Sequence, residues 1–288
     1  MSRNNIHVQS IKATHKAEIL LVGNELLCGK IKDANAHWLG KQLGSFGVSV
    51  TRVTIIRDDV QEIATVIKEI VARHPDYVIS SGGLGPTFDD VTMQGMADGF
   101  GKKLVLDQNA IEWLKDRYET QVRAGVFKRQ DGWLNESRKK MACIPEGSTA
   151  LHNSAGAAPG VLIETGTTRF FVLPGVPREL QAIFSEHVAP ILQRENPGVR
   201  FHEFGFRLDG VGESAMAEKI NALMKEVDER VWIKSHAKHD GKTYYVEMHI
   251  SGYGDATFRK VVEEVTGRVR RILVDLGGRI TDIVEQEK

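Results

Sequence analysis

The spacing of hydrophobic positions changes several times along the chain, and the changes mark its elements. Residues 17–23 (AEILLVG) form a continuous apolar run, as a strand buried on both faces does. From Asp33 the apolar positions Trp38, Leu39, Leu43 and Phe46 recur at helical spacing until Gly47 stops them. Residues 48–56, rich in Val, Thr and Ile, read as a second strand. A helix follows, with Ile63, Val66, Ile67 and Ile70 on one face, and a third apolar run opens at Tyr77. Strands alternating with helices predict βαβ units and a parallel sheet. Further helices are expected over 107–124 and 133–141. A loop with a short strand pair is expected over 142–164, a strand over 170–173, and a helix from the PGVPREL turn to about Leu192.

Asn196-Pro197-Gly198 is turn chemistry, and the pattern beyond it differs. A strand is expected over 201–208, then a helix over 212–224 with Ala215, Ile220 and Leu223 turned inward, then a strand over 231–237. Tyr244, Val246, Met248 and Ile250 alternate with Tyr245, Glu247, His249 and Ser251, the signature of a half-exposed strand. Phe258, Val261, Val262, Val265, Val269 and Ile272 line one helical face. The order βαββα predicts one sheet layered with two helices. The fold class is therefore α/β: a three-layer parallel-sheet domain over 17–197 with a second, smaller α+β domain over 198–278. Residues 1–16 are expected to form a flexible extension and 279–288 a frayed tail.

A chain of 288 residues has material for two such domains. Lys and Arg together number 38 and balance 38 Asp and Glu, so nothing in the charge indicates a nucleic-acid or membrane partner. Two widely separated cysteines, Cys28 and Cys143, point to a reducing compartment and read as small buried hydrophobes. With no apolar leader at the N-terminus, the expected location is the cytoplasm.

The stretch 77–90, YVISSGGLGPTFDD, carries the candidate chemistry. A buried strand runs into a Gly-rich turn and then a helix, an arrangement that offers backbone N–H groups to a phosphate. Its spacing is neither GxGxxG nor a P-loop. The aspartates beside it repel a phosphate unless a divalent cation lies between them. In a parallel sheet ligands gather where the strands end, which brings Glu25, Asp58 and the 82–90 turn to one rim. Asp59 and Glu62 have capping-box spacing, and Asp33 also reads as a helix cap, whereas Asp58 has no such duty and is free for a metal or substrate. Asp89 and Asp90 cannot both cap the following helix, and Asp90 is favoured for chemistry. Arg138, Lys139 and Lys140 form a basic run, one member of which has the charge to meet a phosphate. There is no HExxH, no triad spacing and no GxSxG, and His236 and His239 read as surface residues. GYGD over 252–255 does not sit as the GXXG loop of a KH module.

The segments AEILLVGNELLCGKIKDAN, IIRDD, SGGLGPTFDDVT, NxxGxAPG and LPGVPREL resemble, in order and spacing, the CinA-type proteins. Those proteins carry a molybdopterin-binding-like domain shared with MogA and MoaB. The resemblance spans residues 17–192, and GFRLDGVGESAMAEKI resembles their second, KH-like domain. The C-terminal deamidase domain of full-length CinA has no counterpart in the sequence.

The resemblance implies metal-dependent cleavage of a nucleotide pyrophosphate, ADP-ribose to AMP and ribose 5-phosphate, with Co2+, Mg2+ or Mn2+ and with K+ assisting. It implies Asp58, Asp90 and Glu25 as the catalytic acidic group, Asp58 and Asp90 as metal ligands, and Gly82, Gly83, Gly85, Pro86 and Thr87 as the phosphate turn. Asn153, Gly156 and Pro159 are implied as a facing loop, and a homo-oligomer, dimer or trimer, as the assembly. Asn24 and Ala157 depart from the family pattern, which has Thr or Asp at the first position and Thr at the second. Two other readings stand beside this one: molybdopterin binding and adenylylation, and a nucleotide-binding module without catalysis.

Overall fold

The computed structural model describes residues 15–126, 128 and 133–282. The chain divides into two compact units, one comprising His15–Gly44 and Val48–Asn196, the other Ser45–Gly47 and the chain from Pro197.

In the first unit β1 (His15–Val22) leads into the single-turn helix α1 (Asn24–Leu27), then α2 (Asn35–Ser45), β2 (Val48–Ile56), α3 (Val60–Arg73) and β3 (Tyr77–Ser81). After the Gly-rich turn come α4 (Thr92–Phe100), β4 (Leu104–Leu106), α5 (Gln108–Arg123), α6 (Glu136–Met141), β5 (Cys143–Pro145) and β6 (Thr149–Leu151). β7 (Gly160–Thr165), β8 (Thr168–Leu173), α7 (Pro177–Ile183), a π-helical turn (Phe184–Val188) and α8 (Ala189–Glu195) complete it.

The sheet has six strands in the order β2-β1-β3-β8-β7-β6. The first four run parallel, and β7 and β6 add antiparallel at one edge. Burial on both faces explains why β1 and β3 are continuously apolar. Leu20, Val22, Val78, Phe170 and Val172 pack with Ile63, Ile67, Ile70 and Met96 of α3 and α4 in one cluster. The alternate residues Ile19, Leu21, Ile79, Phe171 and Leu173 are buried as well, as are Leu39, Leu43, Leu180 and Ile183 of α2 and α7. Helix, sheet, helix is thus the layering. Glu18 breaks the apolar run of β1 yet is 3% exposed, because Arg73 at the end of α3 meets its carboxylate with two bonds of 2.8 and 2.7 Å.

The second unit runs β9 (Arg200–Asp209), α9 (Glu213–Met224), β10 (Val231–His239), β11 (Tyr244–Gly254), α10 (Phe258–Asp275) and β12 (Arg279–Asp282). Its antiparallel sheet has the order β10-β11-β9-β12, the βαββαβ connectivity of a ferredoxin-like layer rather than of a KH module. Among the described residues no helix is long and apolar enough to cross a membrane.

Several expectations need correction. The tail does not fray at once, since Arg279–Asp282 pairs with the edge of β9. Residues 15 and 16 belong to the first strand, and residues 1–14 lie outside the described residues. On α9 it is Met216 and Leu223 that are buried, Ile220 is partly covered, and Ala215 faces solvent. The helix expected over 133–141 starts at Glu136, where the Asn135 side chain accepts the Arg138 amide at 3.0 Å. The helix after PGVPREL is broken by the π-helical turn, because Pro190 lacks the N–H that a continuous ladder needs. Cys28 is exposed and Cys143 half-buried, so neither is the core hydrophobe expected.

Candidate functional site

The rim where the parallel strands end encloses a cavity of about 640 Å3. Glu25, Asp58, Gly82, Gly83, Gly85, Pro86, Thr87, Asp89 and Asp90 all line it.

Glu25 arrives there because Gly23 closes β1 by donating to the Ile56 carbonyl at 3.0 Å, so the single turn of α1 starts at the sheet edge. Asp58 follows β2. Its Oδ2 accepts the backbone N–H of Asn24 at 2.7 Å, so Asp58 does have a structural duty, contrary to expectation: it ties the start of α1 to the end of β2. Burial pushes its carboxyl pKa up; the Asn24 amide opposes this, and the neighbouring charges of Glu25 and Asp89 add to it. Asp59 caps α3 through the Glu62 amide at 2.8 Å, but the box stays half-made because the Glu62 carboxylate turns to Arg57. Asp33 likewise accepts the amides of Asn35 and Ala36 at the start of α2.

The glycines of the turn answer two demands. Gly82 has φ +108, and a Cβ there stands 2.1 Å from the Val22 carbonyl oxygen. At Gly83, φ is +67 and a Cβ meets the Thr92 hydroxyl at 2.2 Å. The chain therefore passes too close to β1 and α4 for any side chain. The second demand concerns the amides. Gly82 donates to the Leu173 carbonyl, whereas among the described residues the N–H groups of Gly83, Leu84 and Gly85 donate to no protein group. Three consecutive amides without a protein acceptor thus lie in the turn that lines the cavity.

Neither Asp89 nor Asp90 caps α4. The cap residue is Val91, without a side-chain bond, and the turn is pinned by the Thr92 hydroxyl on the Gly82 carbonyl at 2.8 Å. Both aspartates fold back on Thr87: its hydroxyl lies 2.5 Å from Asp89 and 2.6 Å from Asp90, and its amide donates to Asp90 at 2.8 Å. The Thr87 hydroxyl holds the Asp89 carboxyl below the usual range, and Lys140 contributes. Lys140 itself donates to the Thr87 carbonyl, so one member of the basic run reaches the back of the turn.

Asn35 is a residue that sequence reasoning missed. It is 9% exposed and lines the cavity. Its amide donates to the Ser81 hydroxyl at 3.0 Å and the Gly175 carbonyl at 2.8 Å, while its Oδ1 is buried without a partner. The available signal was its position at the start of a helix that opens at the strand-end rim.

The loop after β6 meets the Gly-rich turn in part. Ala157 and Ala158 line the large cavity and Pro159 lines a pocket with Gly83, Leu84, Gly85 and Asp90, whereas Asn153 and Gly156 line a smaller niche that Pro159 also borders. Asn153 is 6% exposed and braces the loop, donating to the Ala158 carbonyl at 2.8 Å and the Glu179 carboxylate at 2.6 Å. A Cβ at Gly156 would stand 2.0 Å from Glu179 Oε2, so the end of that side chain would have to shift to admit one.

Among the described residues no group of three or more His, Cys, Asp or Glu side chains is close enough to hold a metal ion unaided. The donor set suits a hard cation that takes one or two carboxylates and completes its shell with ligand oxygens and water, as Mg2+ does with phosphates.

A parallel sheet whose strands end at a carboxylate-lined cavity defines an α/β domain with its candidate ligand site at the strand ends. Residues 18–194 match the family described as "probable molybdopterin binding domain", and the chain belongs to that family. It is 39% identical over 269 residues to a protein of Metallosphaera sedula, covering 92% of this chain and 97% of that one. It is also 38% identical over 252 residues to protein PH0439 of Pyrococcus horikoshii, covering 88% and 95%. A crystal structure of CinA from Thermoplasma acidophilum, described as of unknown function, is 35% identical with a TM-score of 0.55, covering 62% of this chain and 99% of that one.

Proposed function

We propose that the large cavity binds a phosphorylated heterocycle, molybdopterin foremost, with the phosphate on the free amides of Gly83, Leu84 and Gly85. Those three amides inside a carboxylate-lined cavity are the observation that carries the reading. Leu21, Val22, Leu26, Ile31 and Leu84 supply an apolar wall against which a ring system packs. The carboxylates of Glu25 and Asp33 suit the paired N–H donors on the aminopyrimidinone edge of a pterin. Family membership supports the pterin over other heterocycles.

Asp58 and Asp90 would hold a divalent cation, Co2+, Mg2+ or Mn2+, together with the phosphate oxygens. That cation supplies Lewis-acid polarisation of a phosphoryl group. The protein's part is to orient the phosphate on the turn and to exclude water along the apolar wall. Adenylylation would use the same groups: with ATP as donor, a pterin phosphate oxygen bonds to the α-phosphorus, the α–β bridging P–O bond breaks and pyrophosphate leaves.

The second reading is hydrolysis of ADP-ribose to AMP and ribose 5-phosphate. The observation favouring it is the raised pKa of Asp58, which suits a group that takes a proton from an attacking water. Water adds to a phosphorus, the bridging P–O bond breaks, and the proton passes to Asp58.

The experiment is a panel of molybdopterin, ADP-ribose, FAD and AMP with each metal, scoring both binding and released AMP. Saturable binding of molybdopterin without AMP release supports the first reading. AMP from ADP-ribose supports the second, and the absence of binding by any member contradicts both.

A further inference from the structure

Helix α5 and the loop after β6 enclose a niche of about 180 Å3, separate from the large cavity and divided from it by Ala157, which lines both. Trp113, Arg117 and Thr120 reach it from one face of α5, and His152, Ser154 and Gly156 from the loop. Trp113 and His152 meet edge to face at 5.1 Å and form one wall.

Arg117 is the unusual member. Its guanidinium is half-buried and its Nε is sealed from solvent without a hydrogen-bond partner. Among the described residues its one hydrogen bond is a marginal one, from Nη2 to the Ala155 carbonyl at 3.5 Å. No described carboxylate lies within ion-pair distance of it. Asp116 also lines the niche, but it is exposed and does not pair with Arg117. Elsewhere in this unit the half-buried Arg169 is matched by two carboxylates, and the half-buried Arg138 donates to the Trp133 carbonyl and lies over the Tyr118 ring. A half-buried guanidinium that lines a niche of this size and has no carboxylate partner lacks an anion.

We propose that this niche is a second anion-binding site, and that it takes an oxyanion of phosphate size on the guanidinium of Arg117. Thr120 offers a hydroxyl donor beside it, and the Trp113–His152 wall limits the size of what enters. The site stands on its own groups and holds whatever fills the larger cavity.

The test is titration of the full chain with inorganic phosphate at constant ionic strength, read by tryptophan fluorescence and by thermal midpoint. The parent should show a saturable fluorescence change and a midpoint that rises with phosphate. Arg117→Met should weaken binding by at least about tenfold, since a charge-assisted bond is lost. Trp113→Phe should lose the fluorescence change while keeping the midpoint shift. AMP as a second titrant separates a free anion from a nucleotide phosphate, because a free-anion site binds phosphate at least as well. No saturable response in the parent, or equal affinity in Arg117→Met, overturns the proposal. Should Arg117→Met fail to fold, the Arg117 Nε–H resonance of isotope-labelled parent decides, with a saturable shift on adding phosphate supporting the site and no shift overturning it.

Discussion

The two ends of the large sheet treat charge in opposite ways. Where the parallel strands begin, Glu195 sits against Arg169 and the Tyr77 hydroxyl, the latter at 2.8 Å. Burial works against ionising Glu195, yet the Tyr77 hydroxyl and Arg169 together hold its carboxyl below the usual range. Glu18, deep in β1, is matched by Arg73 in the same way. Where the strands end, Glu25, Asp58, Asp89 and Asp90 gather around one cavity that, among the described residues, only Lys32 lines as a cation, and Lys140 is tied to the Thr87 carbonyl. The first end uses charge to hold the sheet and its helices in register. The second keeps like charges together at a cost in stability, which is what a binding site requires and a scaffold does not.

The largest effect should come from breaking the paired end. Arg73→Met leaves the buried Glu18 carboxylate without its guanidinium partner and should cost about 3 kcal/mol by denaturant unfolding. Ligand affinity of the folded fraction should not change. Next is Gly83→Ala, which forces a Cβ onto the Thr92 hydroxyl at a positive φ. It should cost about 1–3 kcal/mol and remove binding at the rim, a combination the first variant does not show.

Asp90→Asn should abolish metal-dependent binding while costing no more than about 1 kcal/mol, because the amide oxygen still accepts from Thr87. The smallest effect, and the sharpest in sign, belongs to Asp58→Asn. The folded state raises the Asp58 pKa, so its stabilising contribution is fully present below the unfolded value of 3.8 and is lost as pH rises through the folded pKa. At pH 7 the variant, still able to accept the Asn24 amide, should therefore be more stable than the parent by less than about 1 kcal/mol. That gain should vanish as pH falls below 3.8. A more stable variant that no longer binds ligand separates the two roles of this carboxylate.

The sheet was legible in the sequence because burial on both faces writes continuous apolar runs into β1 and β3. The rim position of Glu25, Asp58 and the Gly-rich turn followed from parallel topology alone. Other features depended on contacts that no local pattern records. The duty of Asp58 toward the Asn24 amide joins residues 34 apart, and the fold-back of Asp89 and Asp90 onto Thr87 depends on how the turn closes. The resemblance implied Asn153 as part of a facing loop, and its amide is spent on Ala158 and Glu179, the latter brought in by α7. The strand Arg279–Asp282 was missed because a four-residue edge strand carries no periodicity, and its pairing with β9 decides its state.

The central claim is that the free amides of 83–85 and the crowded carboxylates together hold a phosphate through a divalent cation. Isothermal titration of the parent and of Asp90→Asn with molybdopterin, with and without Mg2+ at pH 7, tests it most directly. The account predicts saturable binding by the parent that depends on Mg2+ and is lost in the variant. Binding of equal strength by the two proteins, or binding indifferent to Mg2+, would contradict it.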